Sequence, residues 1–185
     1  MDNDIELLSR FKNGDAAAFE LLVRKYKDKV FSTCYSIVGN RDVADDACQE
    51  VFLKIYKKAG GFNERSSFGT WVYRIAVTTA LNELRKRRKE IISLDAPLTD
   101  DEKMTLESVL EGGTAADENL RRESARDFVQ TLLNTLDEKY RTVLTLKEIE
   151  GMSYKEISAV MKISIDKVKV WLFRARQALR GKIKK

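Results

Sequence analysis

Only one proline, Pro97, interrupts the 185 residues of this chain. Elsewhere, apolar residues recur three or four positions apart, which is the period of a helix that buries one face. Runs of alternating apolar and polar residues, which would indicate strands, are scarce. The sequence therefore predicts an all-α protein.

The helical periodicity breaks down across residues 91–118, which contain Pro97, a Gly-Gly pair and many acidic residues. We interpret this stretch as a flexible linker between two small helical domains, residues 1–90 and 119–185. A flexible chain of this length averages about 30 Å from end to end. The two domains can therefore contact sites that lie well apart.

A helix with two dissimilar faces is predicted within the segment from Ser66 to Lys89. The stripe that we expect to face the core consists of Tyr73, Ala76, Val77, Ala80 and Leu84. The opposite face combines one aromatic residue with polar and basic residues: Trp71, Arg74, Thr78, Asn82, Arg85 and Lys89. Such a face suits unpaired nucleic acid, because rings stack on bases while cations bind phosphates. The alternative is that Phe68 and Trp71 cap a hydrophobic core and that the basic run is a solvated helix end.

Another exposed face is predicted on the helix over Asp42 to Lys58. The buried stripe of this helix should be Val43, Ala44, Ala47, Cys48, Val51 and Ile55. The other face carries Asp46, Gln49, Glu50 and Leu53, with Tyr56 at its edge. A leucine among acids and an amide is consistent with a protein-docking patch. A single leucine exposed to solvent is, however, also common.

The C-terminal sequence predicts a helix-turn-helix. Ser153 and Glu156 have the spacing of a capping box and begin a short helix, which a brief turn separates from a basic helix starting at Ile165. From residue 162 onward there are nine Lys and Arg residues and one acid, Asp166. The outer face of the last helix should carry Lys169, Val170, Phe173, Arg174 and Gln177. This pattern favours DNA binding in the major groove over a merely solvated amphipathic helix.

Several classes of protein are disfavoured by what the sequence lacks. It has no histidine, and metal-binding cysteine pairs, phosphate-binding glycine loops and nucleophile elbows are missing too. We therefore expect no enzyme activity, no metal and no cofactor. The clustered basic residues, with a net charge of +5, favour a polyanion partner. Two cysteines, Cys34 and Cys48, and no apolar run of bilayer length predict a cytoplasmic protein with free thiols.

In this order, the three patterns resemble the extracytoplasmic-function (ECF) sigma factors of bacterial RNA polymerase, over nearly the whole chain. The stretch DVADDACQEVFLKIYKK resembles the helix by which these factors dock on the polymerase. The resemblance implies that Asp46, Gln49 and Glu50, with Leu53 and Tyr56, meet the coiled coil of the largest polymerase subunit.

The two DNA-binding segments of the family have counterparts as well. FGTWVYRIAVTTALNELRKRRK resembles the segment that melts and binds the promoter −10 element. The implied contacts come from Phe68, Trp71, Arg74, Thr78, Asn82 and Arg85. LDEKYRTVLTLKEIEGMSYKEISAVMKIS, followed by FRARQAL, is similar to region 4, which binds the −35 element and the polymerase flap. The implied DNA contacts there come from Lys155, Lys167, Lys169, Val170, Phe173 and Arg174.

Three positions depart from the family pattern. Family members often carry Asn where this chain has Thr78. Val170 and Trp171 stand where the usual motif has Ser and Arg. The −35 sequence that this chain recognises therefore cannot be inferred from its relatives.

The resemblance implies an alternative sigma factor that binds core polymerase, recognises −35 and −10 elements and stabilises the melted strand. It also implies an anti-sigma protein, which can hold the factor at the membrane. Two other functions fit parts of the chain. A stand-alone helix-turn-helix regulator would explain residues 137–185, and a single-strand or RNA-binding module would explain residues 66–89.

Overall fold

A computed structural model of the protein describes residues 3–93 and 118–183, and all regular elements in these ranges are helical. The N-terminal group comprises α1 (Asp4–Lys12), α2 (Ala16–Val38), α3 (Arg41–Lys58) and α4 (Phe68–Ser93), with a 3₁₀ turn at Ala59–Gly61. The C-terminal group comprises α5 (Glu118–Asn134), α6 (Glu138–Leu144), α7 (Tyr154–Met161) and α8 (Ile165–Ile183), with a π-helical turn at Thr145–Ile149. The all-α prediction is confirmed.

The predicted linker lies largely outside the described part of the chain. Helix α4 continues to Ser93 and α5 begins at Glu118, so residues 94–117 are not described. None of the described helices combines the length and the apolar character needed to cross a membrane.

Helices α2, α3 and α4 form the core of the N-terminal group, and α1 packs against α2. The predicted stripe of α3 is buried except for Val43, which is half-buried. On α4, Tyr73, Ala76, Val77 and Ala80 are buried as expected, and Leu84 is half-buried. Helical periodicity therefore located the core side of both helices.

Side chains of the C-terminal group bind the C-terminal end of α2. The last turn of α2 has no basic residue of its own, and its final carbonyl groups have no partner within the helix. Arg141, which is buried, donates a hydrogen bond to the carbonyl oxygen of Ile37 at 2.8 Å. Gln130 donates to that of Ser36 at 3.5 Å. The arginine supplies the positive charge that a helix C-terminus favours. The C-terminal group therefore caps the end of α2.

The two groups also meet where α2 ends. Gly39 follows the helix with φ of 74°, a left-handed conformation that glycine adopts without strain. A β-carbon at this position would lie 2.4 Å from Oδ1 of Asn134 in α5. A side chain at residue 39 would therefore be strained by the left-handed backbone and would require the side chain of Asn134 to move.

Candidate nucleic-acid interface

Five residues of α3 form a continuous surface, which we call the α3 surface: Asp46, Gln49, Glu50, Leu53 and Tyr56. Asp46 and Gln49 are exposed and Glu50 is half-buried. Leu53 is 59% exposed and Tyr56 56% exposed, so neither belongs to the hydrophobic core. The structure thus brings together all five residues that the sequence predicted for docking, with an apolar centre and an acidic edge.

Neighbouring side chains fix the two ends of the α3 surface. The ring of Tyr56 lies 5.1 Å from those of both Phe11 and Phe19, which links α3 to α1 and α2. Lys54 pairs with Glu50 at 2.7 Å and also donates to the hydroxyl of Thr79 in α4 at 3.0 Å. The sequence does not signal that Phe11 and Phe19 support Tyr56, because both residues also fit an ordinary core stripe.

The aromatic residues that begin α4 belong to a cluster inside the N-terminal group. Phe68 is only 2% exposed, and its ring centre lies 5.5 to 5.7 Å from those of Tyr26, Phe62 and Trp71. The expectation that Phe68 contacts DNA is therefore corrected, because its ring cannot meet a base without leaving the core. Trp71 is half-buried, with its ring 5.3 Å from that of Phe62.

Further along α4, Thr78, Asn82 and Arg85 are exposed. Their spacing of four and three residues places them on one side of the helix. The hydroxyl of Thr78 donates to the carbonyl oxygen of Arg74 at 2.7 Å, a common bond within helices. Arg85 lies 3.5 Å from Oδ1 of Asn82. These three side chains, with Trp71, form the α4 surface.

Arg74 is not free to bind a ligand in this arrangement. Its Nε and Nη2 atoms donate to the carbonyl oxygen of Ala159, in α7, at 3.2 and 2.9 Å. The expectation of an open face is therefore corrected at Arg74, because α7 packs against α4 here. No pattern in the sequence could signal this contact, since the acceptor is a backbone group 85 residues away.

The exposed side of α8 combines basic and apolar residues. Val168, Leu172 and Ala175 are buried against α6 and α7. The residues that face outward are Lys167, Lys169, Val170, Phe173 and Arg174, which we call the α8 surface. Lys155, at the start of α7, is exposed as well. The six residues predicted to bind duplex DNA are therefore all accessible.

The half-buried rings of Trp171 and Tyr140 lie between the α8 surface and the core. Trp171 is half-buried and meets Tyr140 edge to face at 6.4 Å. The ammonium group of Lys167 lies 5.1 Å from the centre of the indole ring, within the range of a cation–π contact. Trp171, where the family motif has arginine, thus helps to anchor α8.

Helix α7 has a capping residue at each end, Ser153 before its first turn and Lys162 after its last. The hydroxyl of Ser153 accepts a hydrogen bond from the backbone N–H of Glu156, and the carboxylate of Glu156 accepts one from the N–H of Ser153, as predicted. The hydroxyl of Ser153 also donates to the carboxylate of Glu156 at 2.7 Å, and this bond is the main cause that lowers the pKa of Glu156. Lys162 ends α7 in the left-handed conformation, with φ of 55°. The left-handed residue at the end of α7 redirects the chain into the turn that leads to α8.

Comparison with known proteins identifies the family. Residues 22–90 match the model of Sigma-70 region 2, and residues 128–179 match that of Sigma-70, region 4. The chain is 35% identical over 179 residues to the ECF RNA polymerase sigma factor SigW of Bacillus subtilis, which covers 96% of this chain and 95% of the relative. The chain belongs to the ECF sigma factors. It is also 35% identical over 178 residues to the RNA polymerase sigma-H factor of Pseudomonas aeruginosa, covering 96% of this chain and 92% of that one.

Two solved structures have a fold similar to that of this sigma factor. The structure of CnrH in complex with the cytosolic domain of CnrY has a TM-score of 0.72 at 24% identity and covers 99% of this chain and 98% of that one. The sigma factor RpoE in complex with the anti-sigma factor NepR, from Bartonella quintana, has a TM-score of 0.68 at 20% identity and covers 90% and 96%. The α3 and α4 surfaces of the sigma factor lie in region 2, and the α8 surface lies in region 4.

Proposed function

We propose that this chain directs core RNA polymerase to a subset of promoters by binding it through the α3 surface and binding promoter DNA through the α4 and α8 surfaces. The observation that carries the proposal is the presence, on one chain, of an exposed apolar and acidic surface on α3 and of two separate surfaces, on α4 and α8, with exposed basic residues. The mechanism is binding alone, without bond chemistry, cofactor or small-molecule substrate. We place region 2 in residues 1–90, region 4 in residues 119–185, and a linker between them.

The α4 surface is suited to the melted −10 element. Unstacking a base costs a few kcal/mol per step, and stacking of a base on an aromatic ring returns about 1–3 kcal/mol. The exposed part of the half-buried Trp71 ring can supply that stacking, while Thr78 and Asn82 can hydrogen-bond to base edges and Arg85 can bind a phosphate. Binding the non-template strand in this way would stabilise the open bubble.

The contact between Arg74 and Ala159 must break before Arg74 can bind DNA. In the structure α7 of region 4 packs against α4 of region 2, which we call the closed arrangement. Both donor atoms of Arg74 point to a carbonyl group of region 4 in this arrangement. A promoter also needs the α8 surface at the −35 element while the α4 surface is at the −10 element. Separation of the two regions therefore accompanies promoter binding, and the linker permits it.

An anti-sigma factor is the third expected partner. NepR occupies this role for the Bartonella protein of the same fold, and we extend it to this chain on the basis of family membership. Such a partner would cover the surfaces of this cytoplasmic factor and could hold it at the membrane, away from core polymerase.

The α3 surface provides the direct test of the proposed function. Purified chain should co-purify with bacterial core RNA polymerase and yield discrete run-off transcripts from fragmented genomic DNA. Leu53→Ala together with Gln49→Ala should abolish both, because the apolar centre of the surface is lost. Leu21→Ala is the matched control, since Leu21 is an exposed leucine of α2 outside this surface.

Two results would contradict the proposal. Duplex binding by the chain without any association with polymerase would favour the stand-alone helix-turn-helix regulator, which needs the α8 surface alone. Undiminished co-purification of the Leu53 and Gln49 variant, with its helical content intact, would remove the docking role of the α3 surface.

A further inference from the structure

Two exposed apolar side chains lie in the middle of the basic α8 surface. Val170 is 46% exposed and Phe173 is 61% exposed, and their spacing of three residues makes them neighbours on the helix. The side chains of Val168 and Leu172 point to the other side and are buried. The pair is therefore separate from the hydrophobic core, and neither residue contributes to holding α8 in place.

The surroundings of this pair match the charge of duplex DNA. The turn and the described part of α8 carry seven basic residues and one acid, Asp166: Lys162, Lys167, Lys169, Arg174, Arg176, Arg180 and Lys182. A protein partner that covered the pair would have to desolvate several of these cations as well. The second helix of a helix-turn-helix enters the major groove, where phosphates flank the base edges. Duplex DNA is thus the occupant that fits both the cations and the apolar pair.

The chemistry of valine limits what Val170 can recognise in the groove. Its side chain has no hydrogen-bond donor or acceptor, so it cannot distinguish bases by their polar edges. Among the groups that the bases present in the major groove, the apolar one is the 5-methyl group of thymine. An exposed valine on a groove-facing helix therefore gains most by contact with that methyl group.

We propose that Val170, with Phe173 beside it, is a specificity-determining residue that selects thymine in the upstream promoter element through its 5-methyl group. The inference rests on the proposed function of the α8 surface, and it deepens that function by naming the group that is recognised. Lys169 and Arg174 flank the pair and supply the polar and phosphate contacts that set its register.

The test is to remove the methyl group without changing base pairing. The upstream element is first selected from randomised duplexes by the holoenzyme formed from the full chain and core polymerase. Each thymine of the selected element is then replaced singly by deoxyuridine, and promoter binding is measured for the wild type, Val170→Ser and Gln177→Ala. Gln177, which is exposed on the same helix, provides the control variant, and helical content is checked for all three.

The expected result is a loss of affinity of about fourfold at one or two thymines, which corresponds to one buried methyl group. Val170→Ser should abolish this sensitivity at one position, whereas Gln177→Ala should retain it. A selected element without thymine, a wild type indifferent to every replacement, or a Val170→Ser variant that keeps the sensitivity would each overturn the inference. If the holoenzyme forms and initiates at discrete sites in those cases, the proposed function stands; if it does not, both fail.

Discussion

Tyr73 of α4 and Glu150, which ends the turn after α6, join regions 2 and 4 across 77 positions of sequence. The tyrosine hydroxyl donates to Oε2 of Glu150 at 2.6 Å. The other carboxylate oxygen lies 3.1 Å from the hydroxyl of Thr33 in α2, which shares its single proton with the carbonyl oxygen of Lys29 at 2.8 Å. Burial, followed by the bond to Glu150, raises the pKa of Tyr73 far above its usual range, so the hydroxyl remains a donor at physiological pH. One carboxylate thus holds two helices of region 2 against region 4.

Glu150→Ala should shift the protein toward a separated arrangement of the two regions. A hydrogen bond to a charged group contributes about 1.5–3 kcal/mol, and this variant removes the bond from Tyr73 together with the shared contact with Thr33. We expect the ratio of closed to open molecules to fall by at least about tenfold, because each 1.4 kcal/mol changes an equilibrium tenfold. Small-angle scattering should show a larger radius of gyration, and amide exchange of α4 around Tyr73 should accelerate.

The control for this prediction lies two residues away. Glu148 pairs with Arg176 at 2.6 Å, and both residues belong to region 4. Glu148→Ala should therefore leave the radius of gyration unchanged. Equal dimensions for the Glu150 and Glu148 variants would show that the carboxylate of Glu150 does not hold the regions together.

Phe68→Ala should destabilise region 2 strongly, whereas Trp71→Ala should act mainly on promoter melting. Phe68 is buried among three rings, and truncation of a buried phenylalanine costs about 3–5 kcal/mol. Trp71 is half-buried, so its loss should cost less stability but remove the stacking surface. Urea denaturation measures the first effect, and permanganate footprinting of the bubble measures the second. A larger loss of stability for Trp71→Ala than for Phe68→Ala would assign Trp71 to the core.

Helical periodicity was sufficient to predict the elements and the inward faces, because burial of one stripe is a local property of sequence. The stripes of α3 and α4 were correct for that reason, with Val43 and Leu84 half-buried at their ends. Contacts between distant segments leave no such periodic signal. Phe68 and Trp71 stand three residues apart among similar neighbours, and only the packing of Phe62 and Tyr26 decides that Phe68 is buried. The contact of Arg74 with Ala159 was likewise unpredictable, because any residue can offer a carbonyl group.

Ser153→Ala should lower the free energy of unfolding of region 4 by about 1 kcal/mol at pH 7, the usual cost of losing an N-cap. The part contributed by the carboxylate of Glu156 depends on pH. Since its folded-state pKa is lowered from 4.5, this part is present above pH 4.5 and is lost as the pH falls through the folded-state value. The difference in stability from the wild type should therefore shrink in acid. A difference that stays constant from pH 7 to the acid range would show that the bond from the Ser153 hydroxyl to the carboxylate of Glu156 contributes nothing to the cap.

Arg174→Ala and Lys182→Ala should weaken promoter binding in different ways, because their positions on α8 differ. Arg174 is exposed in the middle of the α8 surface, 3.5 Å from the hydroxyl of Tyr140, where a forked guanidinium can meet a base edge. Its loss should cost about 1–3 kcal/mol and relax specificity at one base pair. Lys182 is exposed near the end of the helix, and its loss should weaken all sequences alike and lower the salt slope by about 1. Binding to single-base variants of the −35 element, measured at several salt concentrations, separates the two effects. A uniform loss for Arg174→Ala would assign that residue to a phosphate and leave base recognition to its neighbours on the α8 surface.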